Sequence, residues 1–123
     1  MSTQPARVLV ADDEHLVREF LRDLFTSEGY EVAVFATGAQ LLEAVPTFHP
    51  DAVVVDMMMP GLSGTDVLAA LRRAGLTMPV ILISGHRITE PEGVFAFVKK
   101  PFNLPHLIEV VAAAVDRGRN FGH

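Results

Sequence analysis

The residues Ala52-Val53-Val54-Val55-Asp56 form a short run of apolar, mostly β-branched side chains that ends on a carboxylate. This pattern predicts a strand that is buried on both faces and carries an aspartate at its end. Pro60-Gly61 follows within a few residues and indicates a turn. A strand buried on both faces requires covering layers on both sides of its sheet.

Runs of the same kind recur on either side of this strand. The other predicted strands are Val8–Ala11, Val32–Phe35, Val80–Ile83 and Ala96–Val98. Between the strands, apolar side chains recur every three or four residues, which is the spacing of one helical face. The predicted helices cover residues 14–28, 38–45, 65–74 and 104–117. Strands that alternate with helices indicate an α/β fold, here a doubly wound five-stranded parallel sheet with helices on both faces.

Capping and breaking residues predict where the helices begin and end. Asp13 and Thr37 precede the first two helices, where a side-chain oxygen can accept a hydrogen bond from a free backbone amide. Gly29 is a natural stop for the first helix. Pro46 is expected just beyond the end of the second helix, and the residues after Arg117 are expected to fray.

The composition excludes several classes of protein. The 123 residues suit one domain, which we expect to span residues 1–123. A formal net charge of −5 provides no basic field, so direct nucleic-acid binding is not expected. The chain has no cysteine, which removes disulfides, thiol catalysis and thiolate metal sites. No apolar stretch could span a bilayer and residues 1–7 hold no signal-peptide core, so we expect a cytoplasmic protein without membrane contact.

The chemically active side chains follow the predicted strands. In an open parallel sheet, ligands bind at the carboxyl ends of the strands. These ends provide Asp12 and Asp13 from the first strand, Asp56 from the third, Ser84 from the fourth and Lys100 from the fifth. Three carboxylates, one hydroxyl and one amine are therefore expected together at one edge of the sheet.

Three neighbouring carboxylates require positive charge. Their mutual repulsion makes burial costly unless cations compensate, and one lysine cannot neutralise three carboxylates. A hard divalent ion takes oxygen ligands and often bridges to a phosphate, so Mg²⁺ is the predicted cofactor. Ser84 can donate a hydrogen bond to a phosphoryl oxygen, and Lys100 can lie beside it. The set is suited to receiving a phosphoryl group on an aspartate.

These motifs together resemble those of bacterial two-component response-regulator receiver domains. The resemblance rests on residues 8–14, Val53–Asp56, Met59-Pro60-Gly61 with Gly64, Ile83-Ser84-Gly85 and Lys100-Pro101-Phe102. It covers essentially the whole chain and implies a flavodoxin-like (CheY-like) three-layer sandwich. It also implies phosphorelay signalling instead of enzymatic turnover. The implied partners are a histidine kinase or phosphotransfer protein as donor and an unidentified downstream protein.

The resemblance implies a role for each matched residue. Asp56 is the implied phosphoacceptor, and Ser84 and Lys100 are implied to bind the phosphoryl group. The implied metal ligands are Asp12, Asp13, Asp56 and the backbone carbonyl of Met58. Ser84 and Phe97 are the implied switch residues, with Phe97 at the aromatic position that changes rotamer on activation.

Taken one at a time, the motifs are also compatible with three other classes of protein. A haloacid dehalogenase-type phosphatase would carry a second Asp two residues after the first, where this chain has Met58. A flavodoxin-like cofactor protein needs a hydroxyl- or glycine-rich loop after the first strand, but residues 12–14 would repel a phosphate. A degenerate receiver that only scaffolds partners would lack some of the five key residues, and all five are present.

The segment between the fourth and fifth strands is shorter than the resemblance implies. Fifteen residues separate Ser84 from Lys100, about six fewer than usual, or nearly two helical turns. Glu90-Pro91-Glu92-Gly93 is also a poor helix interior. We expect the helix here to be absent or reduced to one turn, and the loop 85–93 to be mobile. The sequence shows no attached output domain, so a stand-alone regulator, a phosphate shuttle or sink, and a domain cut from a hybrid kinase stay open.

Overall fold

Five strands and four helices make up the part of the chain that the computed structural model describes, residues 4–86 and 90–121. The strands are β1 Arg7–Ala11, β2 Glu31–Phe35, β3 Ala52–Asp56, β4 Val80–Ser84 and β5 Ala96–Lys99. The helices are α1 His15–Ser27, α2 Gly38–Phe48, α3 Gly64–Arg73 and α4 Leu104–Phe121. Within these ranges, no helix is both long and apolar enough to cross a lipid bilayer.

The five strands form one parallel sheet in the order β2-β1-β3-β4-β5. Val54 of β3 lies opposite Val10 of β1 on one side and Ile81 of β4 on the other. The chain first moves outward from β1 to β2 and then returns to β3 on the other side of β1. The strand order therefore reverses between β1 and β3, which is where ligands bind in folds of this kind. The predicted doubly wound sheet is confirmed.

Helices cover both faces of the sheet, because side chains alternate between the faces along each strand. On one face, Val54 packs in a core with Phe25 of α1 and Leu107 of α4. On the other face, Val55 packs with Leu71 of α3 and Leu41 of α2. Every residue of β3 is buried, as its sequence predicts. The result is the expected three-layer arrangement.

The predicted cap of α2 is confirmed, but that of α1 is wrong. Thr37 precedes α2, and its hydroxyl accepts a hydrogen bond from the Gln40 amide at 3.1 Å. At α1 the expected cap, Asp13, does not act as one. The residue before the helix is Glu14, and its amide donates to Asp12 Oδ1 at 2.9 Å. Asp12 thus orders the chain where it enters α1.

Gly29 follows α1 with a φ of +92°, so its predicted role as a stop is confirmed. Helices α2 and α4 extend further than predicted. Pro46, however, lies inside α2, which continues until His49 adopts the left-handed conformation. Proline removes only one amide donor, and the helix keeps its buried side chains on the sheet. Helix α4 runs past Arg117 to Phe121.

The last turns of α4 are held by the start of β3. Gly118 lies so close to Asp51 that a Cβ atom at this glycine would overlap the Asp51 backbone carbonyl. Arg119 Nε is 3.6 Å from Asp51 Oδ2, and Arg119 Nη2 donates to the Gln4 carbonyl at 2.7 Å. The Arg7 amide donates to the same Asp51 carboxylate at 2.8 Å. These tertiary contacts explain why the predicted fraying after residue 117 is wrong as far as Phe121; residues 122–123 lie outside the described part of the chain.

The connection between β4 and β5 contains no helix in its described residues, 85–86 and 90–95. The expectation of an absent or reduced helix is confirmed to that extent. Residues 87–89 lie outside the described part of the chain, so the mobility of the loop 85–93 stays a prediction. Phe95, the last residue of this connection, and Phe97 of β5 are partly buried.

Candidate functional site

The sheet topology brings the predicted site residues to one edge. Asp56 is the last residue of β3, and Asp12 directly follows β1, the neighbouring strand. Asp12 continues the sheet pattern for one more residue, since its amide donates to the Phe35 carbonyl at 3.1 Å. The Lys100 amide donates to the Ser84 carbonyl at 2.8 Å, which extends the pairing of β5 with β4 in the same way. Acidic and basic residues therefore meet above the carboxyl ends of β1, β3, β4 and β5.

The Lys100 ammonium group lies among three carboxylates. Its Nζ is 2.9 Å from Asp12 Oδ2, 3.3 Å from Glu14 Oε1 and 3.5 Å from Asp56 Oδ2. Burial by itself lowers the pKa of Lys100, but the hydrogen bond and charge of Asp12, together with Asp56 and Glu14, produce a net rise. Lys100 is therefore held as a cation, whereas its neighbour Lys99 is exposed.

Asp12 is fully buried, and both of its carboxylate oxygens are engaged. Oδ1 accepts from the Glu14 amide at 2.9 Å, and Oδ2 accepts from Lys100. Arg18 Nη1 also donates to the Asp12 backbone carbonyl at 2.9 Å. A carboxylate without exposure to water is acceptable here because charged and backbone donors replace its hydration.

The Asp56 carboxylate is poorly compensated by comparison. Its side chain is only 5% exposed, and its best backbone donor, the Met58 amide, is 3.4 Å from Oδ1. Burial, followed by the negative charge of Asp12, raises the pKa of Asp56 to about 6, although Lys100 and the Met58 amide oppose the rise and Asp13 adds to it. The charge at this position therefore favours an additional cation.

Four carboxylates are arranged so that they could hold such a cation. Asp12, Asp13, Glu14 and Asp56 each offer one carboxylate oxygen, and these oxygens lie within 4.8 Å of one another. Asp12 and Asp56 are buried, while Asp13 and Glu14 are exposed. An all-oxygen set that is open to solvent on one side fits Mg²⁺, which keeps several of its waters. That the Met58 carbonyl completes the set stays a prediction.

Glu14 is the site residue that the sequence reasoning missed. Its sequence context alone predicts no role for it, yet it shares Lys100 with Asp12 and Asp56 and belongs to the carboxylate cluster. Its position directly after Asp12-Asp13 was the available signal. The contact depends on the conformation of a lysine that lies far along the chain, which a local pattern does not show.

The two predicted switch residues lie on neighbouring strands. Ser84 is fully buried at the end of β4, and its Oγ accepts from the His86 amide at 3.0 Å. In the sheet register Asp56 lies opposite Ile83, so Ser84 is one residue beyond it toward the site. Phe97 packs on the sheet face that α2 and α3 cover. That Ser84 and Phe97 move together on phosphorylation stays a prediction.

Comparisons with known proteins agree with this geometry. Residues 8–112 match the family model described as the response regulator receiver domain. The response regulator MprA of Mycobacterium sp. strain KMS is 34% identical over 119 residues, 92% of this chain and 52% of the relative. The C4-dicarboxylate transport transcriptional regulatory protein DctR of Rhodobacter capsulatus is 36% identical over 116 residues, 88% of this chain and 59% of the relative. The chain spans little more than half the length of these curated relatives.

A solved structure shows the same fold at a similar level of identity. The receiver domain of the Francisella response regulator 1452 has a TM-score of 0.83 and 32% identity, covering 91% of this chain and 98% of its own. The family model spans most of the chain, and the solved domain is matched over nearly its full length. The chain therefore belongs to the response-regulator receiver-domain family, the phosphoacceptor domains of two-component signal transduction.

Proposed function

We propose that Asp56 accepts a phosphoryl group from a histidine kinase or a phosphotransfer protein, with Mg²⁺ bound, and that this changes the affinity of the domain for a downstream protein. The observation that carries the proposal is the unbalanced charge at the end of β3. Asp56 is buried, Asp12 lies nearby, and Lys100 at 3.5 Å is the cation shared by both. Such a site becomes electrostatically more stable when a metal and a phosphoryl group enter together.

Asp56 is suited to act as the nucleophile. A carboxyl group with a pKa of about 6 is about nine-tenths ionised at pH 7, so the attacking form dominates. One oxygen of Asp56 forms a bond to phosphorus, and the bond from phosphorus to the imidazole nitrogen of a phosphohistidine breaks. The electron pair leaves with the imidazole, which takes up a proton from solvent.

The surrounding residues would position the incoming group. Lys100 can move its ammonium group from the carboxylates to a phosphoryl oxygen, because the two sites are adjacent. The buried Ser84 hydroxyl can donate to another phosphoryl oxygen once it turns toward Asp56. Asp12, Asp13, Asp56 and the Met58 carbonyl would hold Mg²⁺. The bound ion would supply charge neutralisation for the attacking carboxylate and the phosphoryl oxygens.

The protein is then a substrate as much as a catalyst. It would promote only its own phosphorylation and dephosphorylation. Signalling would follow from a change in Ser84 and Phe97, whose strands β4 and β5 are paired, and from ordering of the connection between these strands. The downstream partner is a protein that distinguishes the phosphorylated from the unphosphorylated domain.

Labelling of single-residue variants tests the assignment. With acetyl phosphate and Mg²⁺, the wild type should gain one phosphoryl group by intact-protein mass. Asp56→Asn should gain none while keeping its circular dichroism spectrum, because the side chains are nearly isosteric. Asp23→Asn is the matched control, since Asp23 is exposed on α1, and it should label normally. Persistent stoichiometric labelling of Asp56→Asn would refute the assignment.

A further inference from the structure

A small pocket lies at the edge of the sheet opposite Asp56, where the chain enters β4 and β5. Its volume is about 180 Å³, and its lining includes Arg72 of α3, Thr77, residues 93–95 and Arg117 of α4. Pro79 of the lining is five residues before Ser84 along β4, and at about 3.3 Å per residue this is roughly 16 Å. The pocket is thus separate from the phosphoacceptor site.

Two guanidinium groups line this pocket, and neither has a carboxylate partner in the described part of the chain. Arg72 Nη1 donates to the Leu76 carbonyl at 3.0 Å, and Nη2 reaches the Gly93 carbonyl at 3.4 Å. Both acceptors are neutral, so the charge of Arg72 is not balanced by them. Arg117 lies over the Phe95 ring, with its Cζ 5.8 Å from the centroid. Among the described residues, no carboxylate oxygen lies within 4.0 Å of either guanidinium group.

Arg18, Arg73 and Lys99 also lack a carboxylate partner among the described residues, but Arg72 and Arg117 are distinguished by lining one pocket together. The chain carries 15 acidic and 10 basic residues, so acidic partners are in excess. Asp116, the residue before Arg117, accepts a hydrogen bond from Asn120 Nδ2 at 3.1 Å. Burial removes part of the hydration of the Arg72 guanidinium group and lowers its pKa. Two cations in one concave site, one partly desolvated, create a local preference for an anion.

We propose that this pocket binds a phosphate-like oxyanion, either free or carried by a small phosphomonoester. Arginine presents donors in a planar fork that matches phosphate oxygens, and Arg72 keeps donors beyond the two that it uses. Thr77 adds a hydroxyl to the lining. At roughly 30 Å³ per water, the pocket has room for about six waters, which a tetrahedral anion can displace.

An anion in this position would act on the connection between the strands. Residues 93–95 contribute to the lining and are already held by Arg72 from α3 and Arg117 from α4. A bound oxyanion would bridge the two arginines and hold the end of this connection against the helices. The connection starts at Ser84, next to the phosphoacceptor site. The phosphoryl group on Asp56 would then control one end of the connection, and the anion in the pocket would control the other.

Amide chemical shifts of the full chain provide the test. Inorganic phosphate is titrated in the presence of chelator at constant ionic strength, and the amides of Thr77, Gly93 and Phe95 are followed. We expect a saturable shift. Arg117→Gln should weaken binding about tenfold or more, the effect of losing a charge-assisted hydrogen bond. Arg73→Gln is the matched control, because Arg73 is exposed on α3 and is not part of the lining.

The outcomes separate the proposal from general charge effects. An equal loss in Arg73→Gln and Arg117→Gln, or no saturable shift at millimolar phosphate, would overturn it. Arg72→Gln should also weaken binding, but Arg117→Gln decides the question because Arg117 holds no backbone carbonyl in the described structure. A parallel titration with glycerol phosphate distinguishes the two sources: tighter binding than inorganic phosphate indicates a phosphomonoester, and weaker binding indicates the free ion.

Discussion

Replacing Asp56 with asparagine should stabilise the metal-free protein, and the gain should increase with pH. In the unfolded chain an aspartate has a pKa near 3.9. In the folded protein, burial and Asp12 raise the pKa of Asp56 to about 6. The folded state therefore binds this proton more tightly. Below about pH 4 the group is protonated in both states, and as pH rises through the folded pKa the wild type loses stability.

The difference between the two pKa values limits the size of the effect. About two units at 1.36 kcal/mol each correspond to a ceiling of about 3 kcal/mol above pH 7. The attraction to Lys100 is already included in the folded pKa of about 6, but asparagine still has to bury a polar amide, so the measured gain should be about 1 to 3 kcal/mol. Near pH 4 the two proteins should differ little.

Urea denaturation at several pH values, with chelator present, measures this gain. Asp23→Asn, on the exposed side of α1, removes one carboxylate without changing the site and should show no such pH dependence. Added Mg²⁺ should stabilise the wild type more than Asp56→Asn, because the ion binds the native carboxylates. A gain that is constant with pH, or an Asp56→Asn protein less stable than wild type near pH 7.5 without metal, would refute the charge argument.

Four further predictions concern the rest of the site and the fold. Mg²⁺ should raise the thermal unfolding midpoint and be required for labelling, and Asp13→Asn should weaken Mg²⁺ binding. If neither the unfolding midpoint nor the labelling responded to chelator, this prediction would be contradicted. Lys100→Ala should reduce phosphorylation-dependent partner binding far more than Lys99→Ala, and equal losses would count against the assignment. Gly118→Ala should lower the free energy of unfolding by about 2 kcal/mol or more in urea titrations, although alanine normally favours a helix; a stabilised variant would show that α4 can shift. Hydrogen exchange over residues 85–93 should slow with beryllofluoride, whereas slow exchange in the free protein would disprove the ordering of this loop.

Local patterns were sufficient to predict the sheet and the convergence of most residues of the candidate site. Short runs of β-branched residues in the sequence indicate buried strands, and the polar residues that end these runs must meet at one edge of a parallel sheet. The contacts of Asp12 with Lys100 and of Lys100 with Asp56 follow from that rule. The parallel sheet and the convergence of these residues therefore needed no tertiary information.

Features that depend on tertiary packing were not predicted. Pro46 was expected to end α2, but the buried side chains of this helix keep it helical to Phe48. The length of α4 depends on Gly118 and Arg119 meeting Asp51, a contact between distant parts of the chain. Glu14 was missed for the same reason, because its partner Lys100 is brought to it only by the completed sheet.

The position of β5 at the margin of the sheet has a consequence for solubility. An edge strand presents unpaired backbone groups that a second molecule can extend, and proteins limit this risk with short strands, charged residues and proline. β5 has four residues, ends on the exposed Lys99 and is soon followed by Pro101. Lys99 would then protect against edge-to-edge aggregation while taking no part in phosphoryl transfer. Lys99→Ala should accordingly phosphorylate normally in dilute solution and yet self-associate at a lower concentration than wild type.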